Sequence, residues 1–142
     1  HQWFGDSVSL ANWEDMWLKE GLATYGQWLW LTRNDGMAAL NRTANSNLET
    51  MHLDAPIAEP PPLNLYNDGV YTGGALVFHA LRLKVGDEAF FKILRTYYDR
   101  YKGGNAGTQD FIAVAEEVSG QELSPFFSEW LYSFNLPTLP GG

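Results

Sequence analysis

A chain of 142 residues carries 17 acidic against 9 basic side chains, a formal charge of −8. That length is enough to bury one substantial core, and a composition 45% hydrophobic and 15% aromatic excludes a disordered segment. The acidic balance argues against nucleic-acid backbones and anionic membrane surfaces as partners, and the lack of cysteine excludes disulfide scaffolds, thiolate metal sites and a cysteine nucleophile.

Apolar stretches are interrupted every few residues, so no transmembrane span of roughly 20 residues is present. No internal repeat stands out, and the hydrophobic spacing is helical rather than alternating. Asn12 is placed to cap a helix over about 13–32, with Asp15 in the first turn, where the helix dipole favours an acid. Asn34-Asp35-Gly36 ends it, and a second helix follows over about 37–51. Residues 55–63, with Pro56 and Pro60-Pro61-Pro62, cannot be helical and read as an extended surface crossing.

Asp68 is placed to cap a helix over about 70–85, stopped by Gly86. Asp87 caps the next, with Phe90, Leu94, Tyr97, Tyr98 and Tyr101 at helical spacing on one face. Residues 102–107, with three glycines, read as a flexible connection. Thr108 caps a helix that ends at Gly120, and Ser124-Pro125 opens a last one lined by Phe126, Phe127, Trp130, Leu131 and Phe134. The breaker-rich tail 137–142 is expected to peel away. The pattern predicts an all-α domain, a bundle of about six helices.

Two residues in this frame carry chemistry. The first helix is apolar almost all round, as a helix buried on most sides is, and its polar stripe holds Asp15 and Lys19 as an i,i+4 pair. Glu20 stands apart, because its neighbours at three and four residues are Met16, Trp17, Ala23 and Thr24. A carboxylate in apolar surroundings needs a partner: an arginine elsewhere, solvent at a helix edge, or a metal ion. His1 lies 18 intervening residues upstream, a separation that suits two ligands from successive helices, and a histidine-plus-carboxylate set is the ligand chemistry of catalytic zinc. Of the other histidines, His79 reads as a core residue and His52 as exposed. The tyrosines at 97, 98 and 101 read as core.

The words around these residues decide between the readings. His1-Gln2-Trp3-Phe4-Gly5-Asp6, followed by the run from Trp13 through Glu20-Gly21-Leu22-Ala23-Thr24-Tyr25, resembles the gluzincin zinc aminopeptidases of the alanyl aminopeptidase type. Their signature is H-E-x-x-H, 18 residues, then glutamate. His1 matches the second histidine and Glu20 the distal glutamate, so the resemblance implies His1 and Glu20 as metal ligands for one zinc ion. Val70-Tyr71-Thr72-Gly73-Gly74 resembles the family's Y-x-K/R-G segment, which implies that Tyr71 is catalytic and hydrogen-bonds the oxyanion of the tetrahedral intermediate. Gly73 replaces the usual basic residue, and Asn135 stands where glycine is common before Leu136-Pro137. Tyr66 is a weaker match to a cleft-lining position.

The resemblance covers nearly the whole chain and implies the C-terminal helical portion of a gluzincin, thermolysin-like catalytic domain. It also implies a fragment: the 142 residues contain neither the first histidine of the signature nor its general-base glutamate, nor the family's amine-recognition motif. The implied whole is a metallo-aminopeptidase that hydrolyses N-terminal residues from peptides, with this piece alone inactive and its zinc binding weak or absent. Expected partners are a peptide substrate, the upstream part of the same domain, and further copies through uncovered apolar surface. Two alternatives are a non-catalytic scaffold of the same family and a helical binding module using its six tryptophans. The mostly core spacing of those tryptophans counts against the second.

Overall fold

The computed structural model describes residues 9–10 (backbone only), 15–53, 55–59 and 69–140. Six α-helices follow one another: α1 (Met16–Leu31), α2 (Gly36–Thr50), α3 (Gly74–Val85), α4 (Asp87–Tyr101), α5 (Thr108–Ser119) and α6 (Ser124–Leu131). A π-helical turn, Gly69–Gly73, leads directly into α3. Strand β1 (Ser9–Leu10) pairs in parallel with β2 (Asn105–Ala106), Ser9 opposite Asn105 and Leu10 opposite Ala106. The all-α architecture is thus the observed one, and every helix whose sequence pattern we read is present. Residues 12, 13 and 68, which carry expected cap or start signals, lie outside the described residues.

Helix α3 is the centre of the bundle. Every residue from Gly74 to Leu81 is buried, and α1 lies across it. Gly21 and Gly74 make the crossing possible. A Cβ on Gly21 would come within 2.6 Å of the Gly74 carbonyl carbon, and one on Gly74 within 2.8 Å of the Gly21 Cα. Such distances are far inside van der Waals contact, so the two backbones touch and no larger residue fits at either position. Around this point aromatic rings fill the core: Trp17 stacks at a tilt on Phe78 (5.4 Å between centroids), and Phe111 meets Trp17, Phe78 and Tyr97 edge-on.

The helix starts are held in a way the sequence did not indicate. Thr108 does not cap its own helix; Gly107 occupies that position, and its N–H donates to Asp110 Oδ2 at 2.9 Å. The carboxylate of Asp15, buried at the head of α1, instead accepts from the Thr108 N–H (2.8 Å) and hydroxyl (2.6 Å). Trp17 Nε1 donates to the same hydroxyl at 2.9 Å. Asp15 is therefore not on a solvent-facing stripe but is a cap supplied to α5 from a distant part of the chain. Glu116 of α5 does the same for α6, accepting from the Leu123 and Ser124 N–H groups at 2.7 and 3.2 Å. Asp87 likewise does not cap α4: Gly86, at φ +91°, takes the cap position, and Asp87 pairs with Arg82.

Four further expectations are corrected by packing. Residues 55–59 do not simply cross the surface, because Ile57 and Ala58 are buried and the Ala58 N–H donates to the Leu131 carbonyl. The glycine-rich stretch 102–107 contains β2 and is tied to β1. Phe134 lies beyond α6 and is 61% exposed rather than lining it. Leu139, within the stretch expected to peel away, is buried in the core, which a leucine does whenever apolar surface is within reach.

If the glycine crossing sets the α1–α3 distance, enlarging it must separate the helices. Gly21→Ala and Gly74→Ala are each expected to cost about 2–3 kcal/mol or more of unfolding free energy, read by urea denaturation, because backbone cannot yield as a side chain would. Gly26→Ala, with open space around its Cα, serves as the comparison and should not destabilise.

Candidate active site

Beside the crossing lies an open groove of about 490 Å³. Its walls are Glu20, Ala23, Thr24, Gly26, Gln27 and Trp30 of α1, with Tyr71 of the π turn opposite. Residues 20, 23, 24 and 27 share one helix face, since three and four residues bring successive side chains into line. The two residues singled out by sequence within the described region, Glu20 and Tyr71, therefore meet in one cavity although 51 positions separate them (71 − 20).

Both are partly buried. Among the described residues the ion pairs are Arg82–Asp87 and Arg100–Glu117, and Glu20 takes part in neither. Glu20 thus lines the groove in company with Tyr71, with no described cation paired to its carboxylate. Thr24, one turn on, donates its hydroxyl to the Glu20 backbone carbonyl at 2.9 Å and leaves the carboxylate alone. The far end of the groove is marked by Trp30, 63% exposed, with the Arg33 guanidinium 3.7 Å above its ring. Gln27 and Trp30 were not singled out by the sequence pattern, although Gln27 lies seven residues from Glu20 and so on the same face.

His1 and Tyr66 lie outside the described residues, so only Glu20 of the proposed ligand pair has a place in the structure. Among the described residues no three His, Cys, Asp or Glu side chains come together as a metal site. The one described candidate ligand fits zinc in kind, being a carboxylate without a described cation partner at the wall of a groove. His52 is exposed and borders a second, smaller groove of about 210 Å³ with Asn47, Thr50, Met51 and Thr72.

His79 is a core residue, as its sequence setting implies, and fully buried. Its ring nitrogens sit 2.8 Å from the Tyr25 hydroxyl (Nδ1) and 2.7 Å from Asn41 Oδ1 (Nε2). Arg82 donates from Nη1 to the Tyr25 oxygen at 3.3 Å and from Nε and Nη2 to the two Asp87 carboxylate oxygens at 2.9 and 3.2 Å. The result is a chain of hydrogen bonds through α2, α3, α1 and α4. Burial first, then the neighbouring Arg82 charge, push the His79 imidazole down to about 4. Arg82 holds the Asp87 carboxyl below the usual carboxylate range.

With this geometry in place, the chain can be compared with known proteins. Residues 1–130 match the Peptidase family M1 domain. The chain belongs to that family. Aminopeptidase N of Streptomyces lividans is 31% identical over 153 residues, covering 98% of this chain and 18% of that protein. Aminopeptidase N of Lactococcus lactis is 29% identical over 155 residues, with the same coverage of 98% and 18%. An M1 zinc metallopeptidase of Deinococcus radiodurans superposes with a TM-score of 0.85 at 35% identity, over 99% of this chain and 32% of that one. The chain thus spans about a fifth of the curated relatives it matches. No helix among the described residues is long and apolar enough to cross a membrane.

The buried imidazole makes stability depend on pH. The unfolded chain binds a proton at His79 near pH 6.5, the native one only near 4. The contribution is complete above pH 6.5 and is lost as pH falls towards 4, amounting to about 3 kcal/mol. Urea unfolding at a series of pH values should show this slope in the native sequence and a shallower one in His79→Gln.

Proposed function

We propose that this chain is the C-terminal helical part of a zinc-dependent aminopeptidase catalytic domain, with Glu20 a metal ligand and Tyr71 the donor to the reacting oxyanion. The observation that carries this reading is the meeting of Glu20 and Tyr71 in one groove, with no described cation on the carboxylate. Membership of the M1 family supports it, as do relatives named aminopeptidase N.

The residues divide the work by charge. His1 and Glu20, with a further histidine that these 142 residues do not contain, would hold the zinc. When bound, zinc polarises the scissile carbonyl and acidifies a water molecule. Tyr71 supplies a neutral O–H aimed at where negative charge develops, a donor that strengthens as the carbonyl oxygen becomes an oxyanion. Glu20 adjoins Gly21 on a helix packed backbone-to-backbone against α3, which follows directly on the turn of Tyr71, and this packing supports a fixed relation between the two.

In the intact zinc-loaded protein, Tyr71→Phe should lower kcat on an aminoacyl amide by about 10²–10³ while the metal content stays at one equivalent. Glu20→Gln should lose the metal itself, read by elemental analysis after dialysis; retention of a full equivalent would remove Glu20 from the ligand set. The 142 residues alone, assayed with added zinc, should show negligible turnover for want of the general base and one ligand. Turnover near that of the intact protein would overturn this last expectation.

A further inference from the structure

The hydrogen-bonded chain through His79 has no part in the proposed chemistry, yet it joins α1, which carries Glu20, to α3, which continues directly from the turn that carries Tyr71. We propose that His79, with Tyr25 and Asn41, is a positioning device that sets the rotation of α3 against α1 and thereby the placement of Tyr71 opposite Glu20. This inference rests on the function proposed above for those two residues, but the geometry behind it does not.

The glycine contact at Gly21 and Gly74 fixes how close the helices come but does not fix their rotation about that point. Glycine offers no side chain to interlock, so the angle is set by the contacts around the crossing, with Trp17 on Phe78 an apolar one and Tyr25 on His79 a hydrogen-bonded, directional one. Tyr25 lies four residues beyond Gly21 and His79 five beyond Gly74, and the two meet at 2.8 Å. Tyr71 lies three residues before Gly74, on the other side of the crossing. At about 1.5 Å per residue of α-helix His79 lies roughly 7–8 Å beyond the crossing, while Tyr71, in the π turn, lies nearer to it on the other side, so a rotation about the crossing moves both.

The donor pattern makes the contact directional. Arg82 donates to the Tyr25 oxygen, which directs the Tyr25 proton to His79 Nδ1. Nε2 then carries the ring proton and donates to Asn41 Oδ1. A neutral imidazole has one donor and one acceptor, and both are used. Asn41 anchors the ring to α2, and Asp87 at the head of α4 holds Arg82 in place. The groups facing the ring are therefore Tyr25 from α1, Asn41 from α2, Arg82 on its own helix and, through Arg82, Asp87 from α4. Phenylalanine would fill the space of His79 and leave Tyr25 and Asn41 without that partner. Glutamine could offer both a donor and an acceptor.

The test uses the intact zinc-loaded protein labelled with 3-fluorotyrosine, comparing the native sequence with His79→Phe, His79→Gln and the milder Tyr25→Phe. The Tyr71 fluorine resonance, assigned by Tyr71→Phe, reports the placement of that ring whether or not substrate is turned over. It should be displaced in His79→Phe and Tyr25→Phe and return to the native position in His79→Gln. On an aminoacyl amide the same two variants should lose at least tenfold in kcat per zinc-loaded folded molecule, with KM within about twofold, and His79→Gln should recover most of it. An unmoved Tyr71 resonance in Tyr25→Phe and in folded His79→Phe would overturn the proposal and leave the chain a stabilising feature only. So would a His79→Gln resonance displaced as far as that of His79→Phe. A native protein with no zinc-dependent turnover would overturn the proposed function instead, and the fluorine spectra would still decide this one.

Discussion

The contact between the backbones at Gly21 and Gly74 is the constraint on which the rest of the arrangement depends. Side chains normally hold helix axes about 8–10 Å apart, and small residues, glycine above all, allow closer approach. Here the approach brings the face of α1 that carries Glu20 alongside the turn that carries Tyr71, and their meeting forms the groove. The residue following Glu20 and the last glycine of the Tyr71 segment are thus structural counterparts of the chemistry beside them. Gly73 has a separate reason: a Cβ there would come within 2.9 Å of Ile57 Cδ1, so the segment is closed in from that side as well.

The helices around this crossing are tied by carboxylates that reach across the fold. Asp15 at the head of α1 caps α5, Glu116 of α5 caps α6, and Asp87 of α4 clamps Arg82 of α3. Each bond satisfies a donor that would otherwise be left without a partner at a helix start or beside the core, where such an omission costs about 1–3 kcal/mol. Gly107 permits the first of them, since a Cβ there would come within 2.8 Å of Asp15 Oδ2. Helix order and interhelix caps are accordingly one system, and α1 is tied at its head by Asp15 and along its length by Tyr25.

Much of this was legible in residue order, for identifiable reasons. Helix positions follow from apolar spacing and from glycines such as Gly86 and Gly120, which adopt the left-handed conformations that end or separate helices. The capping signals marked the right places but the wrong partners. Thr108 and Asp87 stand where helices begin, yet their side chains bond to Asp15 and Arg82. A local rule sees only the next three residues, whereas Asp15 and Thr108 are 93 apart. Leu139 and Ile57 show the same limit, because proline and glycine nearby describe backbone stiffness and not whether a cavity waits for the side chain.

For the site, the sequence by itself determined the residue types and their register: a carboxylate with no cation on its own helix, a tyrosine before a glycine pair, and wording that resembles a family of zinc peptidases. It also placed His79 in the core. Only the tertiary structure decided that Glu20 and Tyr71 share a groove, that Gln27 and Trp30 extend it, and that His79 bonds Tyr25 and Asn41 rather than sitting among apolar neighbours alone. The physical reason is that periodicity reports which face of a helix turns inward. Which two inward faces touch, and at what distance and angle, is set by the few positions where backbone meets backbone.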